Sequence, residues 1–182
     1  DQNNKKILLA SHSDGNYPGV KSDQNKTYYS LHKQYSSKLA WARIKVSLNN
    51  VTDGEDLKNE ISTRSRSFLF LGIGVLYANT LSQRLEILIP ENGTIAINHP
   101  LTVSRRSSCS TRTAHPHFLL ELNKILNQIG ILNKIKNPYE FKTKGEMVEE
   151  CLNESILNSS FNSTCSCAKR GHNSHWDNRV GT

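Results

Sequence analysis

Leu85-Glu86-Ile87-Leu88-Ile89, then Pro116-His117-Phe118-Leu119-Leu120-Glu121-Leu122-Asn123-Lys124-Ile125-Leu126-Asn127-Gln128-Ile129-Gly130, then Ile131-Leu132-Asn133-Lys134-Ile135-Lys136, decide how this chain folds. The first run is short and apolar and is ended by Pro90, which predicts a strand. The second sets Phe118, Leu119, Leu122, Ile125, Leu126 and Ile129 on one wide face at helical spacing. Pro116 suits the first turn of that helix, and Gly130 stops it. The third returns as a short strand that Asn137-Pro138 breaks. Strand, helix and strand in that order form the unit from which parallel sheets are built.

The same alternation extends outward. Lys6-Ile7-Leu8-Leu9-Ala10 reads as a buried strand, with Ser11-His12-Ser13-Asp14-Gly15 at its carboxyl end. Residues 23–37 read as a helix with Tyr28, Leu31 and Tyr35 on one face. A strand over residues 40–48 sets Ala40, Ala42, Ile44, Val46 and Leu48 against Arg43 and Lys45, as near a sheet edge. Residues 49–60 are polar and turn-rich. The run from Phe68 to Ala78 is apolar on all sides and is expected as a central helix, with Arg64 and Arg66 at its mouth. Gly72 and Gly74 would let that helix approach a sheet, at a cost of about 1 kcal/mol each in helix propensity. Gly72-x-Gly74 is no phosphate fingerprint, because it lies inside the run. Thr143-x-x-Glu146 is a capping box that starts a helix to about Leu152, expected to bury Met147, Val148 and Cys151. Residues 158–164 read as a polar linker, and 165–176 have no periodicity. No internal repeat is present. The expected fold class is α/β with a mostly parallel sheet. The expected domains are residues 1–157 and a polar tail, residues 158–182.

The chain has 182 residues, enough for one domain with a core. Its hydrophobic fraction is 36% and its mean hydropathy −0.56; abundant Asn and Ser raise polarity without charge. The net charge of +7 favours an anionic partner, such as a nucleotide, a nucleic acid or an acidic protein face. Charge is scattered and few aromatics stand beside the arginines, so nucleic acid is not the expected partner. No apolar run approaches the ~20 residues of a membrane span, and a cytoplasmic protein is expected. Asn-x-Ser/Thr triplets at Asn25, Asn50, Asn92, Asn153, Asn158 and Asn162 are what so Asn-rich a chain gives by chance.

Between the expected strand at 85–89 and the helix at 116 lies a stretch rich in donors. Glu91-Asn92-Gly93 opens it as a turn, and Asn98-His99-Pro100-Leu101 follows. Ser104-Arg105-Arg106-Ser107-Ser108-Cys109-Ser110-Thr111-Arg112-Thr113-Ala114-His115-Pro116 then adds three arginines and a dense run of hydroxyls, with no carboxylate before Glu121. Guanidinium and hydroxyl donors without carboxylates suit phosphate or carboxylate, although a solvated basic loop has the same composition. Open parallel sheets bind ligands outside the carboxyl ends of their strands. Ser11-His12-Ser13, the Glu91-Asn92-Gly93 turn and Arg64/Arg66 are all expected at that edge. Snorkelling or capping is the bland alternative for the two arginines. Cys165-x-Cys167 with His172 and His175 offers four zinc-type ligands, but one residue between thiolates is unusual. Cys109 has no nearby base in sequence, and Cys151 falls on an apolar face.

Several ordered motifs resemble the 7-cyano-7-deazaguanine synthase (QueC-like) family of PP-loop ATP pyrophosphatases. They are Arg64-x-Arg66 with the apolar helix to Ala78, Asn137-Pro138-Tyr139-Glu140-Phe141-Lys142-Thr143-Lys144-Gly145-Glu146-Met147, and Thr164-Cys165-Ser166-Cys167. The chain is similar above all to the divergent QueC-like proteins of anti-phage systems of the Qat type. Those share Glu91-Asn92-Gly93, Asn98-His99-Pro100-Leu101 and Ser110-Thr111-Arg112-Thr113-Ala114-His115-Pro116. The resemblance implies a Rossmann-like, PP-loop-type α/β fold with helices on both faces of the sheet, and ATP with Mg2+. It also implies a 7-deazaguanine-type substrate whose carboxylate is adenylated for attack by an amine, and possible zinc at Cys167. Arg66, Arg105, Arg112 and Lys144 are the expected anion contacts, and Arg64 is expected to bind substrate or nucleotide beside them. Asn92, Ser110, Thr111 and His115 are the expected substrate side; Lys144 at a helix start could equally face solvent. The family's Ser-Gly-Gly-x-Asp-Ser loop and its Cys-Gly-x-Cys-x-x-Cys run are not found between Asp1 and Thr182. The expectation is therefore a fold incomplete at both ends, completed by more chain or by another subunit. A protein partner from the same defence system, and a subunit that binds nucleotide without chemistry, are the expectations that follow if no phosphate loop is supplied.

Overall fold

The structure, a computed structural model, describes residues 5–13, 18–46, 64–97 and 114–164, and their side chains except those at 18, 19, 64–66 and 162. These residues form α/β structure in two compact units, one drawn from Asp1–Asp53 and Cys151–Thr182, the other from Gly54–Glu150.

In the first unit β1 (Ile7–Ser13) runs parallel to β2 (Leu39–Lys45), from Ile7 opposite Leu39 to Ser13 opposite Lys45. The helix between them, α1 (Pro18–Tyr35), starts five residues before the expected Asp23, with a proline at its first position. Ser11, His12 and Ser13 belong to β1 itself rather than to a loop beyond it. On β2 the side facing α1 is the Trp41/Arg43 side, and Ala40, Ala42 and Ile44 alternate with it on the other side. The Tyr28 ring lies 4.7 Å from that of Trp41, the Arg43 guanidinium stands 4.6 Å over the indole, and Arg43 Nη1 donates to Asn25 Oδ1 at 2.8 Å. A guanidinium covers an aromatic face and still keeps its hydrogen bonds, so an arginine can take an inward position. The expected linker is also corrected. Residues Glu154–Ser160 form α6, capped by Asn153 Oδ1 on the Ile156 amide at 3.1 Å, and a 3-10 turn at Phe161–Ser163 follows. It is tied to α1 by Asn153 Nδ2 donating to Tyr35 Oη at 2.7 Å and by Thr27 Oγ1 donating to Ser163 O at 3.4 Å.

The second unit comprises α2 (Arg64–Leu81), β3 (Ile87–Leu88), α3 (Gly93–Ile97), α4 (Pro116–Gln128), β4 (Ile135–Lys136) and α5 (Lys144–Glu149). Its core is Leu71 and Val75 of α2, Leu119, Leu122 and Leu126 of α4, and Ile135 of β4, with Ile87, Ile89, Phe118 and Ile131 packed against them. Burying each such side chain is worth about 1.5–3 kcal/mol. A Cβ on Gly74 would meet Ile87 Cγ2 at 3.1 Å, so this glycine does let α2 close on β3; a Cβ on Gly72 would point into open space. Nor is α2 buried all round. Phe68 is 60% and Leu76 54% exposed, although Leu71, Val75 and Ala78 of the same helix are buried.

The helix α4 ends in a left-handed glycine. Gly130 has φ +83°, its amide donates to Asn127 O at 3.1 Å, and the Ile131 amide donates to Leu126 O at 2.8 Å. This paired closure turns Ile131 back onto the core, where it meets Leu126. β3 and β4 run parallel, Ile87 opposite Ile135. The other edge of β4 is taken by a side chain: Asn123 Nδ2 donates to Ile135 O and Asn123 Oδ1 accepts from the Ile135 amide, both at 2.9 Å. An amide group thus stands where a further strand would pair. The parallel pairing among the described residues is these two separate pairs, not one continuous sheet. α5 has the expected capping box, but it buries nothing; Val148 is 50% exposed and Cys151 lies beyond its end. No helix among the described residues is long and apolar enough to cross a membrane.

Candidate functional site

The carboxyl ends of β3 and β4 lead into two turns that lock onto each other. From β3 the chain enters Glu91-Asn92-Gly93, and from β4 it enters residues 137–142. Asn137 is nearly buried; its Nδ2 donates to Glu91 O at 2.8 Å while its Oδ1 accepts from the Tyr139 amide at 3.0 Å. The Gly93 amide donates to Lys142 O at 2.8 Å. A Cβ at position 93 would lie 2.5 Å from Glu140 O, so only glycine lets these backbones touch. Asn92 turns the chain into α3, its Oδ1 accepting from the Ile95 amide at 3.0 Å.

The charged groups at this junction have distinct surroundings. Burial raises the Glu91 carboxyl above the ordinary glutamate value. The Lys142 ammonium pairs with Glu150 and stands 6.0 Å from the centre of the Tyr139 ring. Glu146 is held below the ordinary value, first by the Thr143 amide, which is one half of the capping box, and then by the Thr143 hydroxyl, which donates to the same carboxylate. A carboxyl that holds its proton more readily than usual, at the end of a parallel strand pair, is a stronger base than an ordinary glutamate.

Of the residues expected at the site, Asn92 lies at this junction. Lys144 opens α5 and is exposed. His115 is the residue before α4; its backbone is extended, and its imidazole does not cap the helix. Arg64 and Arg66 fall in the first turn of α2. Arg105, Ser110, Thr111, Arg112 and Cys167 lie outside the described residues, as do Cys109, Cys165, His172 and His175. The expected convergence of Ser11-His12-Ser13 with the Glu91 turn is divided between the two units. Within the first unit these side chains are engaged: Trp41 Nε1 donates to Ser11 Oγ at 2.8 Å, and His12 Nε2 lies 3.2 Å from Val46 O. Among the described residues no three His, Cys, Asp or Glu side chains are grouped to hold a metal ion.

Sequence reasoning placed the Glu91-Asn92-Gly93 turn at this edge but did not single out Asn137 or Lys142. For Asn137 a signal was present, since it follows directly from a strand end into a turn-forming Asn-Pro pair; Lys142, several residues further on, had none. Set against known proteins, the chain matches no family model, no curated protein and no solved structure.

Proposed function

We propose that the chain is a QueC-like ATP-dependent ligase with a Rossmann-like, PP-loop-type sheet, acting on a 7-deazaguanine-type carboxylate in cytoplasmic anti-phage defence. The observation that carries this reading is the interlock of the Glu91-Asn92-Gly93 turn with the Asn137–Lys142 turn. These are two of the motifs on which the resemblance rests, and they meet at the carboxyl ends of a parallel strand pair, where open α/β sheets take ligands.

The chemistry runs in two steps. A substrate carboxylate oxygen attacks the α-phosphorus of ATP, and pyrophosphate leaves. An amine then attacks the acyl carbon, AMP leaves with the bonding pair, and the nitrogen loses a proton. Arg64, Arg66, Arg105, Arg112 and Lys144 supply cationic donors for the phosphates, beside Mg2+, and for the carboxylate. Asn92, Ser110, Thr111 and His115 form the substrate side. Glu91 accepts the proton from the attacking amine, a role suited to its raised pKa. Zinc at Cys167 would be structural, and no step passes through it.

The test is AMP release from ATP and Mg2+ by the native gene product, with and without a 7-deazaguanine carboxylate. Substrate-dependent AMP is expected. Arg105→Ala and Arg112→Ala should each weaken ATP or substrate binding about 10- to 150-fold, the loss of a charged hydrogen bond. Unchanged binding in both would refute the site assignment. Tight ATP binding without AMP would show a nucleotide-binding subunit instead.

A further inference from the structure

We infer that the outer face of α1 is a binding surface for single-stranded nucleic acid. Residues 5–13 and 18–46 hold eight Lys and Arg residues against one carboxylate, Asp23. This part alone carries a charge of +7, equal to that of the whole chain, so charges balance over the remainder. At about 100° per residue, positions 22, 26, 29 and 33 fall within about 60° of one another. They are Ser22, Lys26, Tyr29 and Lys33, and all four are exposed. Asp23 lies about a quarter turn off this face.

Tyr29 is 66% exposed between the two lysines, and its ring is braced rather than free. It meets Tyr28 edge-on at 5.7 Å and 61°. Tyr28 in turn rests on Trp41, which Arg43 covers. Two more exposed lysines lie near the carboxyl end of α1. Lys38 and Lys6 precede the paired residues Leu39 and Ile7, where the Ile7 amide donates to Lys38 O at 2.7 Å. Lysines bind backbone phosphates as point charges, and an exposed, braced tyrosine offers a ring on which any base can stack. Protein interfaces are depleted in lysine, so an acidic protein is the poorer fit to this surface. The inference is independent of the chemistry proposed for the other unit.

Fluorescence anisotropy of the full chain with labelled oligo-dT and oligo-U of roughly 20 nucleotides tests it across a salt series. Binding that weakens with salt is expected. Lys26→Gln/Lys33→Gln should reduce the slope of log K against log salt by about 1.4, whereas Lys26→Arg/Lys33→Arg should keep it. Glutamine is a good helix former at an exposed position, and circular dichroism verifies the fold. Tyr29→Ala should weaken binding about 5- to 100-fold, with Tyr29→Phe close to native. A preference between the two oligomers would identify the natural strand. Absence of oligonucleotide binding, a slope unchanged in the glutamine pair, or equally tight binding of poly-glutamate would each overturn the inference.

Discussion

Glu91 shows how one residue can carry two kinds of constraint. Its carbonyl is used structurally, accepting from Asn137 Nδ2, while burial makes its carboxyl reluctant to ionise. The sign follows from linkage: with the folded pKa above the unfolded value, the folded state holds the proton more tightly between them. The contribution of Glu91 to stability therefore declines as pH rises through that window, and above it the charged form is a cost. Glu91→Gln keeps the shape and removes the charge. Its thermal midpoint is expected to exceed that of the native chain at pH 7, with the difference shrinking as pH falls below the ordinary glutamate range. A difference that instead grew on acidification would mean that Glu91 is stabilised as an anion. The same substitution should lower amine transfer if the residue serves as the proposed base, which separates its catalytic role from its structural one.

At the level of the element, α4 and β4 are joined by an amide rather than by apolar packing alone. Asn123 satisfies both backbone groups of the buried Ile135. Asn123→Ala leaves them unpartnered and should cost about 1–3 kcal/mol, read as a lower denaturant midpoint. Asn123→Asp keeps the acceptor alone and should fall between. This pairing explains part of what the sequence could and could not tell. α4 was legible because its apolar face repeats at helical spacing and both ends carry stop signals, Pro116 and Gly130. Thr143 and Glu146 spelled out the start of α5. By contrast, α6 has only Ile156 and Leu157 to mark a face among Ser, Asn and Glu, so its periodicity was masked. α3 was hidden because the Asn92-Gly93 pair that reads as a turn also starts a helix. On β2 the alternation was legible but the stacking of Arg43 on Trp41 was not, because an arginine reads as polar in any pattern of alternation. Asn133, 2% exposed, donates to Ser82 O and Leu85 O; no hydropathy pattern distinguishes such a buried amide from a surface one. At the site, the motifs were legible as strings, but the Gly93–Lys142 and Asn137–Glu91 contacts join residues more than forty positions apart.

At the scale of the whole molecule, the two compact units have different physical characters. The unit drawn from Gly54–Glu150 has a core of six buried aliphatic side chains. The unit of β1, β2, α1 and α6 is held by aromatic stacking and side-chain hydrogen bonds, and among the described residues it contributes only Ser160 to the buried set. Segments with fewer buried apolar contacts open at lower free energy. Hydrogen exchange should therefore be faster at the amides of β1 and β2 than at those of α2 and α4. Leu122→Ala sharpens the comparison. It removes a buried side chain from the aliphatic core and should cost about 2–5 kcal/mol. If the units open separately, exchange quickens in α2, α4 and β4 and stays at its native rate in β1, α1 and β2. Equal acceleration in both sets would show one cooperative unit. The outcome bears on function, because a lysine-bearing helix on an independently opening unit could engage a strand without disturbing the interlocked turns of the other.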